Sequence, residues 1–265
     1  MINRVLQTSL IQRTLNMIQS NISSQVKASL VEKPWFGFDL DDTLHEFRRA
    51  SSAATTKTLE AISNKHGTPV DELKEAYGHV LRNKTAGAFS DGKTSFAYRR
   101  ERFSSVLDRF GLPSDDAAFL DALLDAYERT LNESLQLKDG AEALLKKLKG
   151  MGKKVVVITE GPQDAQERTV RELGIGGYVD FLATTNFFGV AKTEGLFGEV
   201  LRHLGIGAGE IVFVGDSVAR DMEPASREGI FSVLFDERGE TAWEGGMVKM
   251  KSLRDLEGLL GNGDA

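Results

Sequence analysis

The sequence predicts an α/β fold: a mostly parallel sheet with helices on both faces, three layers in all, into which an all-helical segment is inserted. Three observations lead there. Beyond residue 140, uniformly apolar runs of strand length alternate with helical stretches, which is the rhythm of βαβ units. Residues 47–136 carry helical periodicity without a strand signal. The apolar runs of "WFGFDLDDT" and "EIVFVGDS" end in acidic and small polar residues, and open parallel sheets bind ligands outside the carboxyl ends of their strands.

Residues 1–32 stand apart as an N-terminal extension. Arg4, Arg13 and Lys27 are balanced by no acid before Glu32, and Leu6, Leu10, Met17 and Ile18 recur at helical spacing. That composition suits a mitochondrial transit peptide or an extra, loosely docked helix. The catalytic core is expected to comprise 33–46 and 137–262, with 47–136 inserted as a cap. "WFGF" is the first strand. Within the insert, one helix is expected to begin at Thr68 and Pro69, with Asp71 and Glu72 in its first turn. Another is expected from Ser114, with Leu120, Leu123, Leu124, Tyr127 and Leu131 as its apolar stripe. Four helices fill the insert. The core then resumes with a helix at 141–149, a buried strand in "KKVVVITEG", a helix at 163–173 and a strand at 178–184. A helix at 194–204, the strand of "EIVFVGDS", a helix at 219–228 and a strand at "FSVLF" complete it.

Composition narrows the function. The 265 residues contain no cysteine, which excludes disulfides and thiolate metal sites. None of the four histidines (His45, His66, His79, His203) is spaced as a zinc pair, so a bound metal would take oxygen ligands. The net charge of −6 argues against a nucleic-acid binder. No apolar run is long enough for a membrane span. An anionic substrate therefore needs a local positive site, from a metal ion or a few placed cations.

The strand ends supply such a set. Asp39 and Asp41 follow the first strand, Thr159 the second, and Gly215, Asp216 and Ser217 the "IVFV" strand, while Lys192 precedes a helix. Each alone is an ordinary turn residue; their conjunction on one sheet edge is not.

On these residues the chain resembles the haloacid dehalogenase-like hydrolases, most of which are phosphatases. Asp39-Leu40-Asp41-Asp42-Thr43 matches the family's first motif, Thr159 its second, Lys192 its lysine, and Gly215-Asp216-Ser217 through Asp221 its fourth. The resemblance spans about residues 33–235. It implies a Rossmann-like core with a helical cap, Mg²⁺ as cofactor and a small phosphorylated metabolite as partner. Asp39 would be the nucleophile and Asp41 the general acid and base. Mg²⁺ would be held by the carboxylates of Asp39 and Asp216 and the main-chain carbonyl of Asp41. Thr159 and Lys192 would bind the phosphoryl group, with Glu160 and Gly161 beside them in the substrate site. Asp221 would orient Lys192 or the metal shell, with Ser217 and Thr43 in support. Two residues depart from the pattern: Thr193 stands where proline usually follows the lysine, and Glu160 where asparagine often follows the threonine. Glu160 is expected to point to solvent.

Specificity would fall to the cap. Arg99, Arg100 and Arg102, or Arg48 and Arg49, are candidates to reach substrate, against the alternative of a solvated charged face. A nucleoside monophosphate and a sugar phosphate both suit the pattern, the former through a faint likeness to the pyrimidine-nucleotidase branch. Other possibilities are a 2-haloacid dehalogenase, which the resemblance says lacks an acid at Asp41, a phosphomutase, which commonly carries Val at Thr43, and a non-catalytic phospho-ligand sensor. A monomer or homodimer in the cytoplasm is expected, or in the mitochondrial matrix if residues 1–31 are a transit peptide.

Overall fold

Six strands build one sheet: β1 (Trp35–Phe38), β2 (Lys154–Thr159), β3 (Phe181–Thr184), β4 (Ile211–Gly215), β5 (Phe231–Phe235) and β6 (Val248–Met250). The computed structural model describes residues 27–28, 30–84, 89–239 and 248–261. Strand order is β3-β2-β1-β4-β5-β6, and every pairing is parallel. The chain runs outward from β1 in both directions, so the crevice between β1 and β4 is the topological switch point. Phe38 pairs with Val157 and Val214, and the Asp39 N–H donates to the Val214 carbonyl at 2.9 Å, which brings the three polar strand ends level.

Burial on both faces explains the uniformly apolar strands. Phe36, Phe38, Val155, Val157, Val212 and Val214 pack on one side against Leu30 and helices α5 (Ala141–Gly150) and α10 (Leu253–Leu259). Val156, Ile158, Ile211 and Phe213 pack on the other against α8 (Leu196–Leu204) and α9 (Glu223–Arg227). Each fully buried Phe or Val of this set contributes about 1.5–3 kcal/mol. Gly37 is required by packing: a Cβ there would lie 2.9 Å from Phe213 Cδ2.

The insert holds four helices, α1 (Phe47–His66), α2 (Val70–Lys84), α3 (Ser95–Arg109) and α4 (Ala117–Ser134), around an apolar cluster of their own. The helix expected from Ser114 starts later, at Ala117, with Asp116 as its cap: the Asp116 side chain accepts from the Phe119 N–H at 3.0 Å. Two chain passages join the insert to the core side by side. Glu46 N–H donates to the Gln136 carbonyl and Lys138 N–H to that of Leu44, both at 2.9 Å. A polar network ties α3 and α4 to α6 (Gln163–Glu172). Asp164 accepts from Ser95 N–H and Oγ at 2.8 and 2.6 Å, and Arg168 donates to Ser95 Oγ at 2.7 Å and Glu128 at 2.6 Å.

Several boundaries shift for local reasons. The helix expected at 194–204 begins only at Leu196, because Gly195 at φ 121 separates it from a tight turn at Lys192–Glu194. The one expected at 219–228 opens as a wide π-type turn, Val218–Met222, before α9. The strand expected from 178 starts at Phe181, and α7 (Thr185–Phe188) follows it directly. β6 and α10 were not anticipated, since three residues give too little alternation to read. Of the N-terminal extension, residues 1–26 and 29 lie outside the described residues, while Leu30 is fully buried against the sheet. Among the described residues no helix is long and apolar enough to cross a membrane.

Candidate active site

The turn after β1 sets the centre. Asp42 takes φ 62, a left-handed conformation that Asp tolerates better than most residues, and so reverses the chain directly after Asp39 and Asp41. Asp39 is nearly buried, and both its oxygens are engaged. Oδ1 accepts from Lys192 Nζ at 2.6 Å and Oδ2 from Thr43 Oγ1 at 3.2 Å. Lys192 is also buried, and its Nζ donates to Asp221 Oδ1 at 2.6 Å. Asp221 Oδ2 accepts from Ser217 N–H at 3.0 Å, while the Ser217 hydroxyl caps Arg220 N–H. Gly215 makes room for this, since a Cβ there would lie 2.6 Å from Asp221 Cγ.

Three carboxylates, Asp39, Asp216 and Asp221, offer oxygens that all lie within 4.8 Å of one another. One buried ammonium does not balance them. Burial raises the Asp216 carboxyl above its usual range, with repulsion from Asp39 adding to it. Burial pushes Asp221 up to about 7, against the attraction of Lys192 and with the repulsion of Asp39. Burial opposes the Lys192 charge too, but Asp221 and Asp39 outweigh it and raise its pKa. The cluster holds its lysine charged and has room for a further positive charge, from a proton or a cation. An all-oxygen donor set of this kind fits a hard divalent ion. Both Asp221 oxygens accept, from Lys192 and Ser217, as do both Asp39 oxygens, from Lys192 and Thr43, so Asp216, which accepts from the exposed Arg48, is the least committed of the three.

A cavity of about 150 Å³ opens over this centre, lined in part by Asp39, Asp41, Thr159, Glu160, Lys192 and Asp221. Thr159 is fully buried and its hydroxyl has no hydrogen-bond partner. Glu160 does not point to solvent: it lines the cavity, is 15% exposed and faces Arg220 at 3.7 Å. A half-buried position facing a cation costs less than the sequence alone suggests. Gly161 N–H donates to Thr185 Oγ1 at 3.2 Å, so this residue shapes the site rather than offering a free amide. The Asp41 carboxylate turns away from the oxygen cluster, toward His45 Nε2 at 2.9 Å and Gln166 Nε2 at 3.3 Å.

Among the insert's arginines the structure selects differently from the sequence pattern. Arg99 pairs with Glu128 and Arg100 with Asp121, Arg102 is buried in the insert, and none of them lines the cavity. Arg49 donates to the Ser134 carbonyl at 2.7 Å. Arg48 does line the cavity, and its guanidinium reaches Asp216 at 3.2 Å and Asp42 at 3.1 Å. Sequence reasoning missed His45, Gln166, Arg220 and Phe47. The i,i+4 spacing of Asp41 and His45 was a visible signal; the others come from distant elements or a hinge.

Fold and site together define an α/β enzyme core with an acidic, lysine-anchored centre at the switch point of its sheet. A family model described as "haloacid dehalogenase-like hydrolase" matches residues 35–229, and the chain belongs to that family. Glyceraldehyde 3-phosphate phosphatase of Pyrococcus abyssi is 27% identical over 199 residues, 75% of this chain and 79% of that protein. Ribulose-1,5-bisphosphate 5-phosphatase of Halopiger xanaduensis is 28% identical over 206 residues, 77% of this chain and 85% of its own. Among solved structures, a 2-haloacid dehalogenase from Pseudomonas syringae superposes with a TM-score of 0.67 at 24% identity, covering 86% of this chain and 98% of that one. A phosphatase of the family from Thermococcus onnurineus gives 0.65 at 23% identity, covering 85% and 97%. These structures share the fold. The chain is an enzyme of the hydrolase class, and its curated relatives are phosphatases.

Proposed function

We propose that the chain hydrolyses the phosphate monoester of a small sugar or polyol, with Mg²⁺ as cofactor and a phosphoryl group carried on Asp39. The observation that carries this is the Thr159 hydroxyl, buried without a partner in a cavity that also contains Lys192. An unsatisfied buried donor costs about 1–3 kcal/mol. A phosphoryl oxygen would satisfy it beside an ammonium of the right sign. Mg²⁺ would be held by the carboxylates of Asp39 and Asp216 with the main-chain carbonyl of Asp41, and when bound would neutralise charge on the phosphoryl oxygens.

The chain's own residues perform the transfer. A carboxylate oxygen of Asp39 forms a bond to phosphorus as the ester P–O bond breaks, and Asp41 gives its proton to the departing alkoxide. Water then attacks phosphorus and leaves a proton on Asp41 as the Asp39 O–P bond breaks, releasing inorganic phosphate and the free Asp39 carboxylate. Lys192, fixed by Asp221, keeps its charge on Asp39 and on the incoming phosphate. Ser217 and Thr43 hold Asp221 and Asp39 in place.

The cavity supports a small substrate over a nucleotide. Its volume of about 150 Å³ is below the ~300–1,000 Å³ of pockets that enclose drug-sized ligands. The relatives' names, phosphatases of glyceraldehyde 3-phosphate and of ribulose 1,5-bisphosphate, point the same way. The test is a panel of triose, pentose and pyrimidine-nucleoside phosphates, with Mg²⁺ and with excess chelator. Preference for a sugar phosphate and silence in chelator are expected. Full turnover in chelator would remove the cofactor, and a nucleotide preference would remove the substrate class.

A further inference from the structure

We propose that His45 and Gln166 are positioning residues for Asp41, holding its carboxylate by both oxygens so that its proton is delivered to the leaving oxygen. This rests on the phosphate-ester reading above. Asp41 needs such help. Its side chain is 23% exposed at the rim of a cavity that also holds Lys192, Arg48 and Arg220. An unrestrained carboxylate there would swing onto one of those cations and face the wrong way for proton transfer.

The two donors come from different elements and grip different oxygens. His45 lies one helical turn of sequence beyond Asp41, fully buried in the passage between β1 and α1, and its Nε2 sits 2.9 Å from Asp41 Oδ1. The other ring nitrogen, Nδ1, is buried with no partner. The hydrogen therefore belongs on Nε2, because a proton on Nδ1 would be a stranded donor and would leave Asp41 unbonded. Phe47 packs edge-on against the ring at 5.9 Å, and the His45 backbone bridges to Leu137, so the imidazole has little freedom to turn. A histidine in a purely structural role would satisfy main-chain groups; this ring makes its one hydrogen bond to Asp41.

Gln166 closes the other side. Buried on α6, it spends both amide hydrogens, on Asp41 Oδ2 at 3.3 Å and on the Glu160 carbonyl at 3.2 Å. Gly161 makes this possible: its φ is 156, and a Cβ would lie 2.5 Å from Gln166 Nε2. Gln166 carries no charge, so it fixes Asp41 without adding to the cations that already compete for it. Misplacing a reacting group by about 1 Å can cost ~10²-fold in rate.

The experiment compares His45→Leu, His45→Gln and Gln166→Leu with Asp41→Asn and wild type. Each is given an aryl phosphate with a good leaving group and an alkyl phosphate with a poor one, and kcat and KM are measured separately. Losing position should lower kcat/KM, which reports formation of the aspartyl-phosphate, by roughly 10–100-fold on the alkyl ester and leave it nearly unchanged on the aryl ester. Meanwhile kcat falls on both, because water attack also uses Asp41. His45→Gln, whose amide can reach the Nε2 position, should largely repair the loss. Should His45→Leu fail to fold, His45→Gln and Gln166→Leu carry the comparison. Equal losses of kcat/KM on both esters would show a structural role and overturn the proposal. Leaving-group selectivity in Asp41→Asn with none in Gln166→Leu or His45→Leu overturns it alone; no selectivity in Asp41→Asn overturns the role of Asp41 as well.

Discussion

Replacing Asp221 by Asn removes one of the three crowded carboxylates while nearly preserving shape. In the metal-free wild type, burial pushes Asp221 up to about 7 from an ordinary 3.8, against the attraction of Lys192 and with the repulsion of Asp39. A raised carboxyl makes its protonated form a pH-dependent contribution to stability. The sign follows from proton binding. Between pH 4 and 7 the folded chain keeps a proton that the unfolded chain has released. The contribution is therefore complete below about pH 4 and is lost as pH rises through about 7. Asn cannot titrate, so the variant lacks this slope. It also presents an amide where Asp221 Oδ2 accepts from Ser217 N–H, a pH-independent cost of about 1–3 kcal/mol. Urea unfolding of chelator-treated protein from pH 4.5 to 8 should show the wild type losing stability relative to the variant, with the two curves converging or crossing above pH 7. Adding Mg²⁺ at pH 8 should restore stability mainly to the wild type. Parallel curves across the range would refute the picture of a cluster carrying one negative charge too many.

Other outcomes test separate parts of the site. Asp39→Asn should abolish labelling of the protein by phosphate, whereas Asp41→Asn should retain it and hold it longer, because water attack lacks its base. Its rate should fall ~10²–10⁴-fold on alkyl phosphates and less on aryl ones; labelling of Asp39→Asn at wild-type levels would assign the wrong nucleophile. Gly215→Ala should destabilise by about 1–3 kcal/mol in a melting experiment and depress activity, because its Cβ would lie 2.6 Å from Asp221 Cγ and displace the anchor of Lys192. Arg48→Gln should tighten Mg²⁺ binding by calorimetry several-fold at most, since its 72% exposed side chain competes for Asp216 as a surface pair worth about 0–1 kcal/mol; weaker binding would mean that Arg48 supports the ion instead of competing with it.

The sequence by itself determined five of the six strands and which polar residues gather at their ends. Uniformly apolar strands need burial on both faces, so "KVVVIT" and "IVFVG" could be read as parallel strands, and their polar ends as one edge. Asp39, Thr159, Lys192, Asp216 and Asp221 were legible because each follows a strand or opens a helix, and such local grammar survives in one dimension. What the tertiary structure decided depended on long-range packing. Charge pattern offered Arg99, Arg100 and Arg102 as substrate ligands, but two are consumed by Glu128 and Asp121, the third is buried in the insert, and only Arg48 of the candidates reaches the cavity. Glu160 looked like a solvated acid until Arg220, sixty positions away, was brought opposite it. Gln166 reaches Asp41 across 125 positions of chain. A side chain's partner is fixed by which surfaces the core presses together, and periodicity carries no record of that.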